Sequence, residues 1–512
     1  IDGSATSTEG YVVLVADRTD LTDLTAGNVL NTVVNSFLGT SIVADGEVVG
    51  TIANVGDDDL FIIAPTVSGG EYVTRGNVVI RSTQDNGAFG EGDVVGISVD
   101  AGGNVYADTG IGADIEGVMI DAGGNVALGV EITLGGTLDH PTAVVTGTDA
   151  NLDAAMGGLV QGNAVNIIGG SVHAGGYVLM NALEEVDGIH ATSIGDIDVN
   201  AGTGIVNIGA VSILGSITAT TIDGNIVDST FVTKGTGGTI TLEALAEDGE
   251  IDGDEAVSIS DIRVTAGGYI VDGMYVSEEG NIELTSRNES VTATTAESKM
   301  DYVMIDASDD IIGVTVEAAT TADLIAGIDI TGGTINALET VTLDAGEEIN
   351  GTVVQTNTLA DLTAGLDIVG VSVDADTATL DAGEDIVGGS VSTIADSTLT
   401  AAADIVGTVV DADNAMLTAG VNISAVAVNA DTDAVLDALT GHIQGSSVLA
   451  GDDAVLTAAL EIDSTDVTAY NNIDAVAGTY IVASSFTALN GYVDIEAVQD
   501  NIVSTTIVLK DE

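Results

Sequence analysis

Carboxylate side chains recur at one position of a repeating pattern in the C-terminal part of the chain. They are Asp310, Asp329, Glu348, Asp367, Asp385 and Asp404, separated by 18 or 19 residues. Carboxylate oxygens are preferred ligands of Ca²⁺, so six of them in register could hold cations. Two unit charges about 4.8 Å apart repel by about 1 kcal/mol in water. The column is therefore either a solvated acidic face or a ladder of sites for Ca²⁺ or another hard cation.

Each of these acidic residues directly precedes an isoleucine, and a second apolar residue follows that isoleucine five positions later. The second apolar column consists of Val316, Ile335, Val354, Val373, Val391, Val410, Val428, Val448, Val467, Phe486 and Ile507. A period of about 19 residues is too short for a repeat of two helices. It is typical of one coil of a β-solenoid, in which each coil stacks its side chains on those of the next.

The pattern inside one coil also indicates strands. In residues 365–382 (GLDIVGVSVDADTATLDA), apolar and polar residues alternate, which places one face of each segment inward. β-Branched residues at the inward positions and glycine in the coils argue against helices. We therefore predict an all-β fold, a β-solenoid (parallel β-helix) of about 19 residues per coil.

The pattern divides the chain into two regions. Residues 1–140 are predicted to form an N-terminal β-rich barrel or sandwich module, and residues 145–512 the solenoid, most regular from about residue 305. The boundary is placed where the character of the sequence changes, beside His140 and Pro141.

Two local features of the N-terminal region suggest specific elements. Residues 96–108 and 117–129 each place Asp-Ala-Gly-Gly-Asn between apolar segments, which predicts two hairpins. Residues 21–38 are the best candidate for a helix in this chain.

The charge of the chain limits its partners. It has 80 acidic and 8 basic residues, a formal net charge of −72, and 45% hydrophobic residues. This hydrophobic content predicts a folded protein with an acidic surface, which repels nucleic acids and anionic lipids. No stretch is long and apolar enough for a transmembrane helix, so we expect no membrane insertion. The chain begins with Ile1 instead of methionine, which suggests either a processed mature form whose signal segment has been removed or a trimmed chain, and we expect a secreted or cell-surface protein.

Catalytic motifs are not recognisable in the sequence. With 80 acidic residues, pairs of carboxylates carry no information, and the four histidines are not spaced as metal ligands. There is no cysteine, which excludes disulfides and thiolate sites. Because no lysine or arginine lies between Lys299 and Lys510, an enzyme acting on acidic polysaccharides is disfavoured. We expect a protein that is not an enzyme and has Ca²⁺ as its one candidate cofactor.

The coils have a family resemblance. LTAGLDIVGVSV (362–373) and LDAGEDIVGGSV (380–391) resemble the repeats of filamentous-haemagglutinin-type adhesins. Those proteins are secreted right-handed β-helices that form surface fibres, so the resemblance implies a parallel β-helix with a structural role. The acidic composition rich in Gly, Ala, Thr and Val is also similar to that of surface-layer proteins.

These observations lead to a functional prediction. We expect an extracellular structural protein that self-assembles head-to-tail through strand edges into a filament or layer, its acidic faces bridged by Ca²⁺. The alternative is a surface adhesin in which the solenoid is a stalk and residues 1–140 bind cell-surface glycans. Adaptation to high salt is a further explanation of the charge. The predicted assembly residues, in the apolar segment 501–512, are Ile502, Ile507, Val508 and Leu509.

Overall fold

The described part of the chain consists of β-strands and the turns between them, and it contains no helix. The computed structural model describes residues 1–16, 27–82, 93–109, 113–129, 132–137, 140–145 and 164–510. They belong to two compact units, Ile1–Tyr269 with Gly273–Glu278, and Ile270–Asp272 with Glu279–Glu512. Within each unit, strands pair in parallel with the equivalent strands of neighbouring coils. The predicted all-β fold and the parallel β-solenoid are confirmed.

A regular coil of the second unit contains three strands. In one such coil the first strand is Leu359–Ala364, the second is Ile368–Val369 and the third is Ser372–Ala375. Each pairs with its equivalents in the preceding and following coils. The first strands of this unit are Ile282–Ser286, Val303–Ala307, Thr321–Ala326, Thr340–Ala345, Leu359–Ala364, Thr377–Ala382, Asp396–Ala401, Asn414–Ala419, Ala434–Ala438, Ala454–Ala458, Ile473–Ala477 and Val493–Ala497.

The core is built from stacked apolar columns. Leu362 pairs with Leu343 on one side and Leu380 on the other, and all three are fully buried. The predicted alternation holds, because Val373 is 2% exposed while its neighbour Ser372 faces outward. Full burial of a leucine or valine side chain contributes about 1.5–3 kcal/mol, so each residue of these columns stabilises its coil.

A left-handed backbone conformation marks the corner between the second and third strands. In each coil the residue two positions after the first apolar residue of the second strand has a φ between 45° and 68°. In the coil described above, Ile368 begins the second strand and Gly370 is this residue. Glycine adopts this conformation freely, whereas an L-residue loses about 1–2 kcal/mol. In the second unit these corner residues are Asp272, Ala293, Gly313, Gly332, Gly351, Gly370, Gly388, Gly407, Ala425, Gly445, Ser464, Ala483 and Ser504.

In the first unit the second and third strands of many coils are fused into one long, bent strand. Glu47–Val55 is an example, with Gly50 (φ 59°) at the bend. The other long strands are Val29–Ser36, Thr66–Thr74, Ala113–Ala122, Ala164–Ala174 and Glu185–Ser193. The first strands are Val12–Ala16, Thr40–Ala44, Leu60–Ala64, Val78–Ser82, Val105–Asp108, Val126–Leu128, Val178–Asn181, Ile197–Ala201, Ile217–Thr221, Ile240–Ala244 and Ile262–Ala266.

Two local predictions for the N-terminal region are wrong. The helix expected within residues 21–38 is replaced by the strand Val29–Ser36, whose inward residues alternate as a strand requires; residues 21–26 lie outside the described residues. The segments 96–108 and 117–129 are not hairpins. They are successive coils, because Ser98–Ala101 pairs in parallel with residues 119–122. The prediction failed because the same residue types, such as Gly, Asn and Asp, favour the turn of a hairpin and the turn at a solenoid corner.

The β-rich N-terminal module is confirmed as a sheet structure. Its strands pair in parallel with strands about 20 residues further along, as in Val34 with Ala53. Near the predicted boundary the chain forms an antiparallel pair, Ile132–Thr137 with His140–Val145, inserted between coils that pair in parallel through Ala113–Ala122 and Ala164–Ala174. The division into residues 1–140 and 145–512 stays a prediction.

Candidate functional site

The acidic ladder lies at the corner that precedes the second strand. There, both the N–H and the C=O of Asp329 face the preceding coil. The N–H of Ile311 donates to the Asp329 carbonyl at 2.8 Å, and the Asp329 N–H donates to Oδ1 of Asp310 at 3.1 Å. A buried backbone donor without a partner is costly, so this corner needs an acceptor from a side chain. The carboxylates supply it.

The same bond recurs along the ladder. The N–H of Glu348 donates to Asp329 Oδ1 at 2.9 Å, that of Asp385 to Asp367 at 2.9 Å, and that of Asp404 to Asp385 at 2.8 Å. Asparagine continues the series, since Oδ1 of Asn422 accepts the N–H of His442 at 3.0 Å. A short side chain with an acceptor two bonds from Cβ is therefore what this position requires.

Glutamate interrupts the series. Within the described residues, no hydrogen bond joins Glu348 to the N–H of Asp367, because the longer side chain places its oxygens elsewhere. Burial, together with the charges of Asp329 and Asp367, raises the pKa of Glu348 above its usual value. Like charges in adjacent coils therefore do interact, although the ladder is half-exposed to water.

The first unit uses the same device at the same corner. Oδ1 of Asn28 accepts the N–H of Glu47 at 2.8 Å, and Oδ1 of Asp93 accepts that of Asp114 at 3.0 Å. A parallel series precedes the first strands, where Asn104 Oδ1 accepts the N–H of Asn125 at 2.8 Å. The sequence analysis did not identify these residues, because the lengths of the coils vary in this region and hide the period. The signal that could have found them is an Asp or Asn directly before each apolar segment.

The ladder carboxylates are the residues that the sequence predicts to bind cations. Among the described residues, no group of three or more His, Cys, Asp or Glu side chains is arranged to hold a metal ion. One carboxylate oxygen of each ladder aspartate accepts a hydrogen bond from a backbone N–H of the next coil; these residues are Asp310, Asp329, Asp367, Asp385 and Asp404. Their binding of Ca²⁺ stays a prediction.

The predicted assembly residues lie on the last coil. Ile502 and Ile507 continue the buried columns of Ile481 and Phe486, and Leu509 continues that of Ala488. Their exposed fractions are 43%, 49% and 59%, whereas the three residues of the preceding coil are fully buried. Val508 points to the other face, beside Thr487. Three of the four residues therefore form an uncovered continuation of the core.

A carboxyl group is buried inside the first unit. Asp254 is 1% exposed and follows the corner residue Gly253, at an inward position. Its Oδ1 accepts the N–H of Ser229 at 2.6 Å, and its Oδ2 has no partner in the described structure. Burial, with smaller contributions from Asp228 and Asp252, raises the pKa of Asp254 to about 8. The group is thus largely uncharged at neutral pH.

Comparison with protein-family models, with curated protein sequences and with solved structures found no match. The class of the protein is therefore defined by its own fold, a parallel β-solenoid of short, regular coils. The likeness to filamentous-haemagglutinin repeats rests on the coil sequences alone. Among the described residues, none belongs to a helix that is long and apolar enough to cross a membrane.

Proposed function

We propose that this chain is an extracellular structural protein, without enzymatic activity, that assembles end to end into a filament or layer. The observation that carries the proposal is the uncovered core of the last coil that the structure describes. Ile502, Ile507 and Leu509 are 43–59% exposed although they stand in columns that are otherwise buried. Covering such side chains with another coil would contribute roughly 1 kcal/mol each.

The backbone of this coil supports the same contact. Ile502–Val503 and Thr506–Leu509 pair with the preceding coil on one side, which leaves one edge of each strand for a further strand. In the first coil, Ala5 occupies the inward position that pairs with Val34. Stacking the last coil of one copy on the first coil of another would continue the apolar column from Ile507 to Ala5. Such a head-to-tail contact does not close on itself, so it produces fibres.

The second part of the proposal is that cations bridge the acidic surfaces of neighbouring copies. With a net charge of −72, copies that lie side by side repel one another unless cations screen or bridge them. We include Ca²⁺ as the bridging ion. This part is tested separately, by comparing assembly in Ca²⁺ with assembly in a chelator at constant ionic strength. If assembly depends on ionic strength alone, the bridging role is excluded and the end contact is unaffected.

Two matched substitutions test the end contact. Ile507→Glu places a charge on the exposed edge, and Leu449→Glu places one on the side of the solenoid at a residue that is also about half exposed, 50% against 49%. We expect the wild-type protein and Leu449→Glu to form long assemblies, whereas Ile507→Glu remains monomeric, as measured by sedimentation velocity and negative-stain electron microscopy. Assemblies of normal length from Ile507→Glu would refute the proposal.

The adhesin alternative predicts a different result. The wild-type protein and both variants would then be monomers. Binding of the whole chain to a glycan array would identify a ligand. Substitutions in residues 1–140, but not Ile507→Glu, would abolish that binding. The two functions are therefore distinguished by the same set of variants.

A further inference from the structure

Asparagine followed directly by glycine occurs at three places in the chain, and this pair of residues is prone to a spontaneous reaction. The backbone nitrogen of the glycine can attack Cγ of the asparagine side chain, because glycine has no Cβ that hinders the approach. The three pairs begin at Asn86, Asn350 and Asn490, and the first lies outside the described residues. The structure places the other two pairs in different surroundings.

The pair at Asn350 is held by hydrogen bonds between coils. Asn350 ends the short strand Ile349–Asn350, and the Gly351 N–H donates to the Val369 carbonyl of the following coil at 2.8 Å. The Gly351 nitrogen can turn towards the Asn350 side chain only after this bond breaks and the coil opens locally. Folding therefore protects Asn350.

The pair at Asn490 lies in a corner that contains an additional residue. The corner joins the third strand of one coil to the first strand of the last described coil, and both Asn490 and Gly491 are exposed there. Pairing with the preceding coil advances by 19 residues before the corner, where Ala469 pairs with Ala488. After the corner it advances by 20, where Ile473 pairs with Val493. The corner is therefore one residue longer than its equivalent in the preceding coil.

The additional residue leaves one backbone donor outside the hydrogen bonds between coils. The Asn490 N–H donates to the Tyr470 carbonyl at 2.8 Å, and the Tyr492 N–H donates to Oδ1 of Asn472 at 3.3 Å. Between them, the Gly491 N–H donates no hydrogen bond within the described residues. Its nitrogen can turn towards the Asn490 side chain without breaking a contact between coils.

We propose that Asn490 is a site of spontaneous deamidation in the folded protein. The Gly491 nitrogen forms a bond to Cγ of Asn490 and gives up its proton, while the side-chain nitrogen takes up a proton and leaves as ammonia. Water then opens the resulting succinimide ring and yields aspartate or isoaspartate. The reaction consumes one water, releases one ammonia and involves no oxidation. The site depends on this corner alone, so the inference goes beyond the proposed assembly and does not rest on it.

Deamidation at this corner should loosen the last described coil. Isoaspartate adds a methylene group to the backbone, and the corner has little room for it, because a Cβ on Gly491 would lie 2.4 Å from the Asn471 carbonyl oxygen. The strand Val493–Ala497 follows this corner and pairs with Ile473–Ala477 of the preceding coil. We therefore expect the amides of Val493–Ala497 to lose protection from hydrogen exchange as the protein ages.

Peptide mapping of the whole chain tests the proposed site. The protein is incubated at pH 8, either folded or in urea, and is then cleaved after glutamate, which releases residues 349–384 and 462–496. Mass spectrometry follows the conversion of the amide to a carboxyl group at Asn350 and Asn490. In urea the two sites should react at similar rates, because each precedes glycine. In the folded chain Asn490 should keep its rate to within about threefold, whereas Asn350 should be slowed by about tenfold or more.

Asn490→Gln is the matched control, since glutamine keeps the amide but its longer side chain closes the ring much more slowly. Aged wild-type protein should carry isoaspartate and lose exchange protection at Val493–Ala497, whereas aged Asn490→Gln should match the fresh protein. Equal rates at Asn350 and Asn490 in the folded chain, or no conversion of Asn490 while the unfolded chain reacts, would overturn the proposed site. Unchanged exchange in wild-type protein that has accumulated isoaspartate would overturn its effect on the coil.

Discussion

Asp254 is expected to make the first unit less stable as the pH rises, and Asp254→Asn should remove this dependence. The side chain is 1% exposed, and burial raises its pKa from 3.8 to about 8. Asparagine has nearly the same shape, keeps an oxygen for the Ser229 N–H and carries no titrating proton. The substitution therefore isolates the cost of burying the carboxyl group.

The size of the effect follows from the pKa difference. Between about pH 4 and pH 8 the unfolded chain has lost the proton while the folded chain keeps it, so the free energy of unfolding falls as pH rises. Each pH unit costs about 1.4 kcal/mol, so the loss over these four units is on the order of 6 kcal/mol by pH 8. Below pH 4 and above pH 8 the contribution is constant. Wild type and Asp254→Asn should thus differ most at and above pH 8.

Hydrogen–deuterium exchange measures this locally, since solenoid coils open in parts. Exchange of the amides of Glu255–Ser258 is compared between wild type and Asp254→Asn at the same pH, from pH 5 to pH 9. We expect protection in the variant to exceed that in wild type progressively as pH rises. Asp223→Asn, at an exposed carboxylate, is the control and should change stability by less than about 0.5 kcal/mol. Equal protection of wild type and Asp254→Asn at every pH would contradict the reasoning.

Three further predictions concern the corners. Asp385→Ala leaves a backbone N–H of the next coil without its acceptor and should destabilise by about 1–3 kcal/mol in urea unfolding, whereas Asp385→Asn should be close to wild type; equal losses would contradict the acceptor role. Glu348→Asn supplies the missing acceptor and removes a like charge, so its stabilisation should grow as pH rises from the ordinary pKa of a glutamate to the raised pKa of Glu348 and stay constant above it; a stabilisation that does not change with pH would contradict the effect of the like charges. Ala425→Gly, at φ 54°, should stabilise by about 1 kcal/mol, whereas Ala427→Gly in the adjacent strand should destabilise by about 0.5–1 kcal/mol; the same sign for both would refute the corner assignment.

The regular coils were predictable because their columns repeat with little variation. Ile368, Val373 and Leu380 could be assigned to the core from their spacing and alternation, and all are nearly fully buried. The period fixes the coil, and alternation fixes the inward face, because side chains of a strand point to opposite sides. These two signals are independent of any knowledge of the partner strands.

Other features depend on contacts that a single sequence does not display. The Asp-Ala-Gly-Gly-Asn segments were assigned to hairpins, although Val105 pairs with Val126 in the next coil. The ladder carboxylates were identified as a column, but their bonds to backbone N–H groups appear only when the coils are stacked. The left-handed corners were missed because Asn, Asp, Ala and Ser substitute for glycine there, which hides the column.

The most direct test of end-to-end assembly is a disulfide between copies. The chain contains no cysteine, so Ala5→Cys with Ile507→Cys introduces one thiol at an inward position of the first described coil and one at an inward position of the last described coil. Strands of adjacent coils lie about 4.8 Å apart, within the Cα separation that a disulfide spans. Mild oxidation should give a series of covalent multimers on a denaturing, non-reducing gel. Monomers alone, or the same multimers from Ala5→Cys with Leu449→Cys, would contradict stacking of the last coil on the first.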